Sequence, residues 1–179
     1  MQINGQLTMR AVLELYPGAQ RALFRRYHIG GCSHCAFDQE ETLEQVCKRN
    51  GNLNPDEVLS YIKTSHESDE KIFIEPEELA RLLEKDQSIR LVDVRSREEF
   101  EAVNIPGSTL LSQDVMREIM ADGSNSRPLV IIDHQGGQGL DASTYFMGHG
   151  LQSVRCLRGG IDAWARKVDT TLKRYNITH

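Results

Sequence analysis

With 39% apolar and 26% charged side chains over 179 residues, the chain has the composition of a globular protein and the length for one domain or two small ones. Its net charge of −5, with no basic stripe, argues against nucleic acid as a partner. There is no apolar run of about 18 residues and no leader-like start, so no membrane span or export is expected and a reducing cytoplasm is the expected location. The cysteines are Cys32, Cys35, Cys47 and Cys156, and in that compartment paired thiols point to redox chemistry or metal more than to structural disulfides.

The first 65 residues read as all-helical. Val12, Leu13 and Tyr16 recur at helical spacing over Met9–Tyr16, and Pro17-Gly18 ends that helix. Leu23, Phe24 and Tyr27 mark a second helix over Ala19–Tyr27. His28 to Asp38 holds Gly30-Gly31 and the two close cysteines and reads as a loop. Thr42 with Gln45 spells a capping box for a helix to Arg49. Asn54 as N-cap and Pro55 as first helical residue open another, with Val58, Leu59 and Ile62 on its buried stripe. Seven Lys/Arg and seven Asp/Glu cancel within residues 1–65, so the remainder carries the net charge. Thr64 to Lys71 has no apolar anchor. The expected division is a helical module over 1–65, a linker over 66–72, an α/β domain over 73–172 and a tail over 173–179.

Beyond the linker the pattern alternates. Pro76–Lys85 is expected as a helix with Leu79, Leu82 and Leu83 inward, Ile89–Val94 as a strand, and Ser96 as the cap of a short helix holding Phe100. Asn104–Gly107 is a turn and Ser112–Met120 a helix. Pro128–Asp133 (PLVIID) is a strand, His134–Gly139 (HQGGQG) a loop, and a helix runs from Leu140. Val154–Leu157 is a further strand, and Gly159-Gly160 turns the chain into a helix with Ile161 and Trp164. Strands separated by helices indicate a parallel sheet covered on both faces. A glycine-rich loop between strand and helix offers backbone amides to an anion, with the helix dipole behind them.

Four ordered pieces of this half carry a family resemblance: Leu91-Val92-Asp93-Val94-Arg95 with Glu98-Glu99-Phe100; Asn104-Ile105-Pro106-Gly107-Ser108; the strand–loop–helix at His134; and Arg158-Gly159-Gly160-Ile161-Asp162-Ala163-Trp164. From about Ile72 to Lys173 the chain resembles the rhodanese family. The resemblance implies an α/β fold, a rhodanese-like parallel sheet flanked by helices, preceded here by an all-α helical domain. Active members hold a persulfide on the cysteine of a CxxxxR loop, where loop amides and the arginine stabilise the thiolate. Carried onto this chain, His134 stands at the cysteine position and Gly139 at the arginine position. Imidazole cannot carry sulfane sulfur and glycine cannot pair with thiosulfate, so no thiosulfate:cyanide sulfurtransferase activity is expected. Three readings of the loop stay open: a degenerate site; an anion cradle formed by His134, Gln135, Gly136, Gly137, Gln138 and Gly139; and phosphoryl transfer through His134. Cys156 is either a buried small hydrophobe or a displaced nucleophile between Arg155 and Arg158.

The first half, on Val12-Leu13-Glu14-Leu15-Tyr16-Pro17, Phe24, Tyr27-His28-Ile29-Gly30-Gly31-Cys32-Ser33-His34-Cys35 and Glu41-Thr42-Leu43-Glu44, resembles the hybrid-cluster-protein-associated redox disulfide family. More distantly it resembles the N-terminal helical segment of di-iron cluster-repair proteins. Cys32 and Cys35 can act as a reversible dithiol, as a structural pair, or as ligands of zinc, iron or an iron–sulfur cluster joined by His28, His34 or Cys47. The leading expectation is a thiol-redox or sulfur-handling protein in which Cys32 and Cys35 do the chemistry and the second domain binds a protein partner or a small anion. A non-enzymatic metal-binding sensor or scaffold is the alternative, and a sulfurtransferase working through Cys156 or Cys32 the second.

Overall fold

The computed structural model describes residues 4–30, 37–122 and 127–175. The chain divides into two compact units, Met1–Lys71 and Ile72–His179.

The described helices of the first unit are α1 (Met9–Leu15), α2 (Ala19–Tyr27), α3 (Leu43–Arg49) and α4 (Pro55–Glu70). Each start has a local cause. The Thr8 hydroxyl accepts from the Ala11 amide, Thr42 and Gln45 form the reciprocal capping box, and Asn54 accepts from the Asp56 amide ahead of Pro55. Met9, Val12, Leu23, Leu43, Val46, Cys47 and Ile62 meet in the core of this unit.

The Thr64–Lys71 run, expected as a linker, is helical as far as Glu70. Its polar side chains are used inside the unit. The Asp69 carboxylate is buried and accepts from the Arg21 guanidinium on α2, and the Tyr16 and His66 rings meet edge-on at 5.5 Å. The Thr64 and Ser68 hydroxyls donate to carbonyls one turn back. A buried ion pair does here what an apolar anchor usually does.

In the second unit the chain runs β1 (Phe73–Ile74), α5 (Pro76–Lys85), β2 (Arg90–Asp93), α6 (Arg97–Ala102), β3 (Thr109–Leu110), α7 (Gln113–Asp122), β4 (Leu129–Ile132), α8 (Gly137–Gly148), β5 (Val154–Leu157) and α9 (Gly160–Lys167). The strands form one sheet in the order β1-β5-β4-β2-β3, and every pairing is parallel. β4 lies at the centre and is buried throughout, which is why it reads as a continuous apolar run. Val130 and Ile132 face one layer with Leu79 of α5 and Ile161 and Trp164 of α9. Leu129 and Ile131 face the other with Ile119 of α7 and Phe146 of α8.

β1 and β3 were not expected from the sequence; each spans two residues and is too short to show a period. The expected tail over 173–179 is docked as far as it is described. Leu172 and Tyr175 pack on the cluster that holds Trp164, and Arg174 Nε donates to Asp162 at 2.7 Å. No described helix is long and apolar enough to cross a membrane.

Candidate functional site

β4 delivers the chain to the C-terminal edge of the sheet, where parallel folds carry their sites. Asp133 is the first residue past the strand, and it is 3% exposed. The Gly136 amide donates to its Oδ1 and the Gly139 amide to its Oδ2 at 2.8 Å, with the Gln138 amide directed at the same carboxylate. The side chain that the loop amides surround is therefore Asp133, not His134, which corrects the placement of the loop's head. Helix α8 begins at Gly137 rather than Leu140, because Gly136, at φ +99°, turns the chain into the helix at once. Burial pushes the Asp133 carboxyl above its usual pKa, against the opposing pull of the Gly139, Gly136 and Gln138 amides and the His134 ring.

The loop is held from behind by the turn into α9. The Ile161 amide donates to the Asp133 carbonyl at 2.9 Å and the Asp162 amide to the His134 carbonyl at 3.2 Å. That approach needs glycine: a Cβ on Gly160 would lie 2.4 Å from the Asp133 carbonyl oxygen. A Cβ on Gly139 would lie 2.9 Å from Cys156 Sγ, so no side chain fits there without displacing the thiol. Gln135, Gly137 and Gln138 face solvent and His134 is half-buried.

At the end of the neighbouring strand β2, Asp93 and, two residues on, Arg95 form a buried, bidentate pair: Nε to Oδ1 at 2.9 Å and Nη2 to Oδ2 at 2.7 Å. Arg95 Nη2 also donates to the Val103 carbonyl at 2.7 Å. Arg95 Nη1 donates to the Tyr175 hydroxyl at 2.6 Å, and that hydroxyl donates to Glu99 Oε1 at 2.7 Å. Burial lowers the Arg95 pKa, but hydrogen bonds with Asp93 and Tyr175 more than restore it. Burial and the Glu99 hydrogen bond push Tyr175 up to about 12. Its ring lies 4.5 Å from that of His134, and His134 Nε2 is 3.0 Å from the Tyr175 carbonyl.

The model of the rhodanese-like domain matches residues 75–167. The chain belongs to the rhodanese-like family. The thiosulfate sulfurtransferases GlpE of Pseudomonas savastanoi pv. phaseolicola and Pseudomonas syringae pv. syringae are each 32% identical over 89 residues, covering 50% of this chain and 83% of theirs. Among solved structures, reduced CoADR-RHD of Bacillus anthracis superposes with a TM-score of 0.50 at 18% identity, over 69% of this chain and 22% of that one. The human single-domain sulfurtransferase TSTD1 gives 0.44 at 26% identity, over 54% and 96%.

Against the rhodanese-like pattern the expected residues fall out as follows. With Asp133 at the head of the loop, the CxxxxR spacing puts the exposed Gln138, not Gly139, at the arginine position. The Gly136 and Gly139 amides of the expected anion cradle are turned inward on Asp133. Cys156 is fully buried among Ile72 and Leu140, with Sγ 3.8 Å from the Gly136 carbonyl, so it offers no open thiol beside the arginines. Arg158 instead pairs with Glu75 at 2.6 Å and covers the Phe73 ring. Cys47 lies in the apolar core of the first unit, where burial pushes its thiol pKa up. His28 is the left-handed C-cap of α2 and meets Phe24 edge-on. Cys32, His34 and Cys35 lie outside the described residues. Among the described residues no three His, Cys, Asp or Glu side chains cluster as a metal site.

Sequence reasoning missed Asp133 and Tyr175. The signal for Asp133 was an acidic residue closing an otherwise apolar strand. Tyr175 had no signal beyond being the one aromatic in the expected tail.

Proposed function

We propose that this chain is a cytoplasmic thiol-redox or sulfur-handling protein whose reactive groups are Cys32 and Cys35. Its rhodanese-like domain is a degenerate site that serves as a binding or regulatory module. The observation that carries this reading is the Asp133 carboxylate inside the loop amides. A sulfurtransferase loop must place a thiolate there to attack sulfane sulfur and then stabilise the persulfide. A carboxylate forms no persulfide, uses the donors itself, and repels the thiosulfate dianion. The relatives named thiosulfate sulfurtransferases share the fold, and their activity is not carried over.

Support for Cys32 and Cys35 comes by a separate route. Cys47 and Cys156 are both fully buried, which makes neither of them a candidate for the reactive thiol. In sequence Cys32 and Cys35 come six or more residues after Arg25 and Arg26 in the basic last turn of α2, and positive charge brought beside a thiol favours thiolate.

Two measurements on the purified chain test this. Steady-state thiocyanate production from thiosulfate and cyanide is expected at background; turnover like that of active family members overturns the reading of the loop. Thiol titration is expected to lose two groups on air oxidation and regain them with reductant, and Cys32→Ser or Cys35→Ser abolishes the cycle. Near-stoichiometric zinc or iron, with no such cycle, would move the assignment to a metal-binding sensor.

A further inference from the structure

The segment after α9, as far as Tyr175, lies against the loop through a set of contacts neither the sheet nor the helices require. The hydroxyl is used twice, accepting from Arg95 Nη1 at 2.6 Å and donating to Glu99 at 2.7 Å. The ring lies 4.5 Å from that of His134, tilted by 31°, with the Arg95 guanidinium 6.0 Å from its centroid. The carbonyl sits 3.0 Å from His134 Nε2, and the preceding Arg174 is tied to Asp162 of α9. Arg95 is itself fixed by its bidentate pairing with Asp93, and Glu99 by its capping bond with the Ser96 amide at 3.2 Å. Arg95 and Glu99 are thus held by partners other than Tyr175. The receiving surface supplies one donor and one acceptor at the far end, a flat face, and a donor at the near end. That pattern suits a phenol and is incomplete for phenylalanine.

We propose that Arg95, Glu99 and His134 form a tyrosine seat, and that the C-terminal strap closes over the head of the loop by placing Tyr175 in it. In the docked state His134 is covered on the side that Tyr175 meets, and the outward nitrogen of Arg95 is occupied. Release of the strap exposes both, so access to the loop is set by a contact the chain makes with itself. This inference is independent of the Cys32–Cys35 reading.

The full-length wild type, Tyr175→Ala and Tyr175→Phe are compared by the rate at which diethyl pyrocarbonate modifies His134, read by peptide mass. p-Cresol serves as the probe for the empty seat and toluene as its control. His134 is expected to react about tenfold faster in Tyr175→Ala than in the wild type, the factor that one net hydrogen bond to a charged group represents. p-Cresol should slow the reaction in Tyr175→Ala towards the wild-type rate, toluene should not, and neither should affect the wild type. Equal rates in wild type and Tyr175→Ala, or no effect of p-cresol on Tyr175→Ala, overturn the proposal. Should Tyr175→Ala not fold, Tyr175→Phe decides: faster modification than wild type upholds the seat, and an unchanged rate overturns it.

Discussion

Asp133 is subject to two opposed influences: burial favours its neutral form, and the loop amides favour its charge. The net direction is upward, so protonation favours the folded state. That contribution is fully present below the unfolded carboxyl value of about 3.9 and is lost as pH rises through the higher folded value. Wild type should therefore lose stability relative to Asp133→Asn through that window and keep a constant difference above it. Urea unfolding of both proteins across a pH series reads this directly, and a wild type that gains on Asn with rising pH would show the amides winning instead. Cys47 illustrates the opposite kind of residue. It is fully buried and packs among Leu43 and Val46. Cys47→Ser should cost about 1–3 kcal/mol in denaturant unfolding by burying an unpaired hydroxyl. It should leave the Cys32–Cys35 thiol count unchanged, and a loss of that cycle would bring Cys47 into the site.

Among the elements, the turn from β5 into α9 holds the loop in place. Gly160, at φ +57°, brings the Ile161 amide to the Asp133 carbonyl, and a Cβ there would strike backbone rather than a flexible side chain. Gly160→Ala should cost about 3 kcal/mol or more, since neither strand end can yield. The loss should appear as earlier unfolding of the second unit, and a variant as stable as wild type would mean that the turn relaxes freely. Most elements were legible because each carries its own punctuation: the Thr42–Gln45 box, the Asn54-Pro55 start, the Ser96 cap and the buried run of β4. What escaped were features decided at a distance. β1 and β3 exist only through pairing with β5 and β2. The last turns of α4 depend on Arg21 reaching Asp69 from another helix. The sequence pattern places the head of the loop one residue late for a related reason. PLVIID continues a strand pattern through Asp133, and only the direction of the Gly136 and Gly139 amides shows which side chain they serve.

For the molecule as a whole, the negative charge lies beyond residue 65, in the part that holds the rhodanese-like domain. A net negative charge on that part of the chain does not favour the approach of a dianion such as thiosulfate. The thiols divide in the same sense. Cys156, within the rhodanese-like domain, is sealed beneath the loop, and Cys32 and Cys35 belong to the helical part of the chain. The most direct test is to map sulfur on each cysteine. The intact protein is reduced, incubated with an inorganic polysulfide, alkylated and digested, and every cysteine peptide is weighed. The account predicts added sulfur or a new disulfide on Cys32 and Cys35, with Cys156 unmodified until the protein is unfolded. A persulfide on Cys156 in the folded protein, with thiocyanate released on adding cyanide, would contradict it.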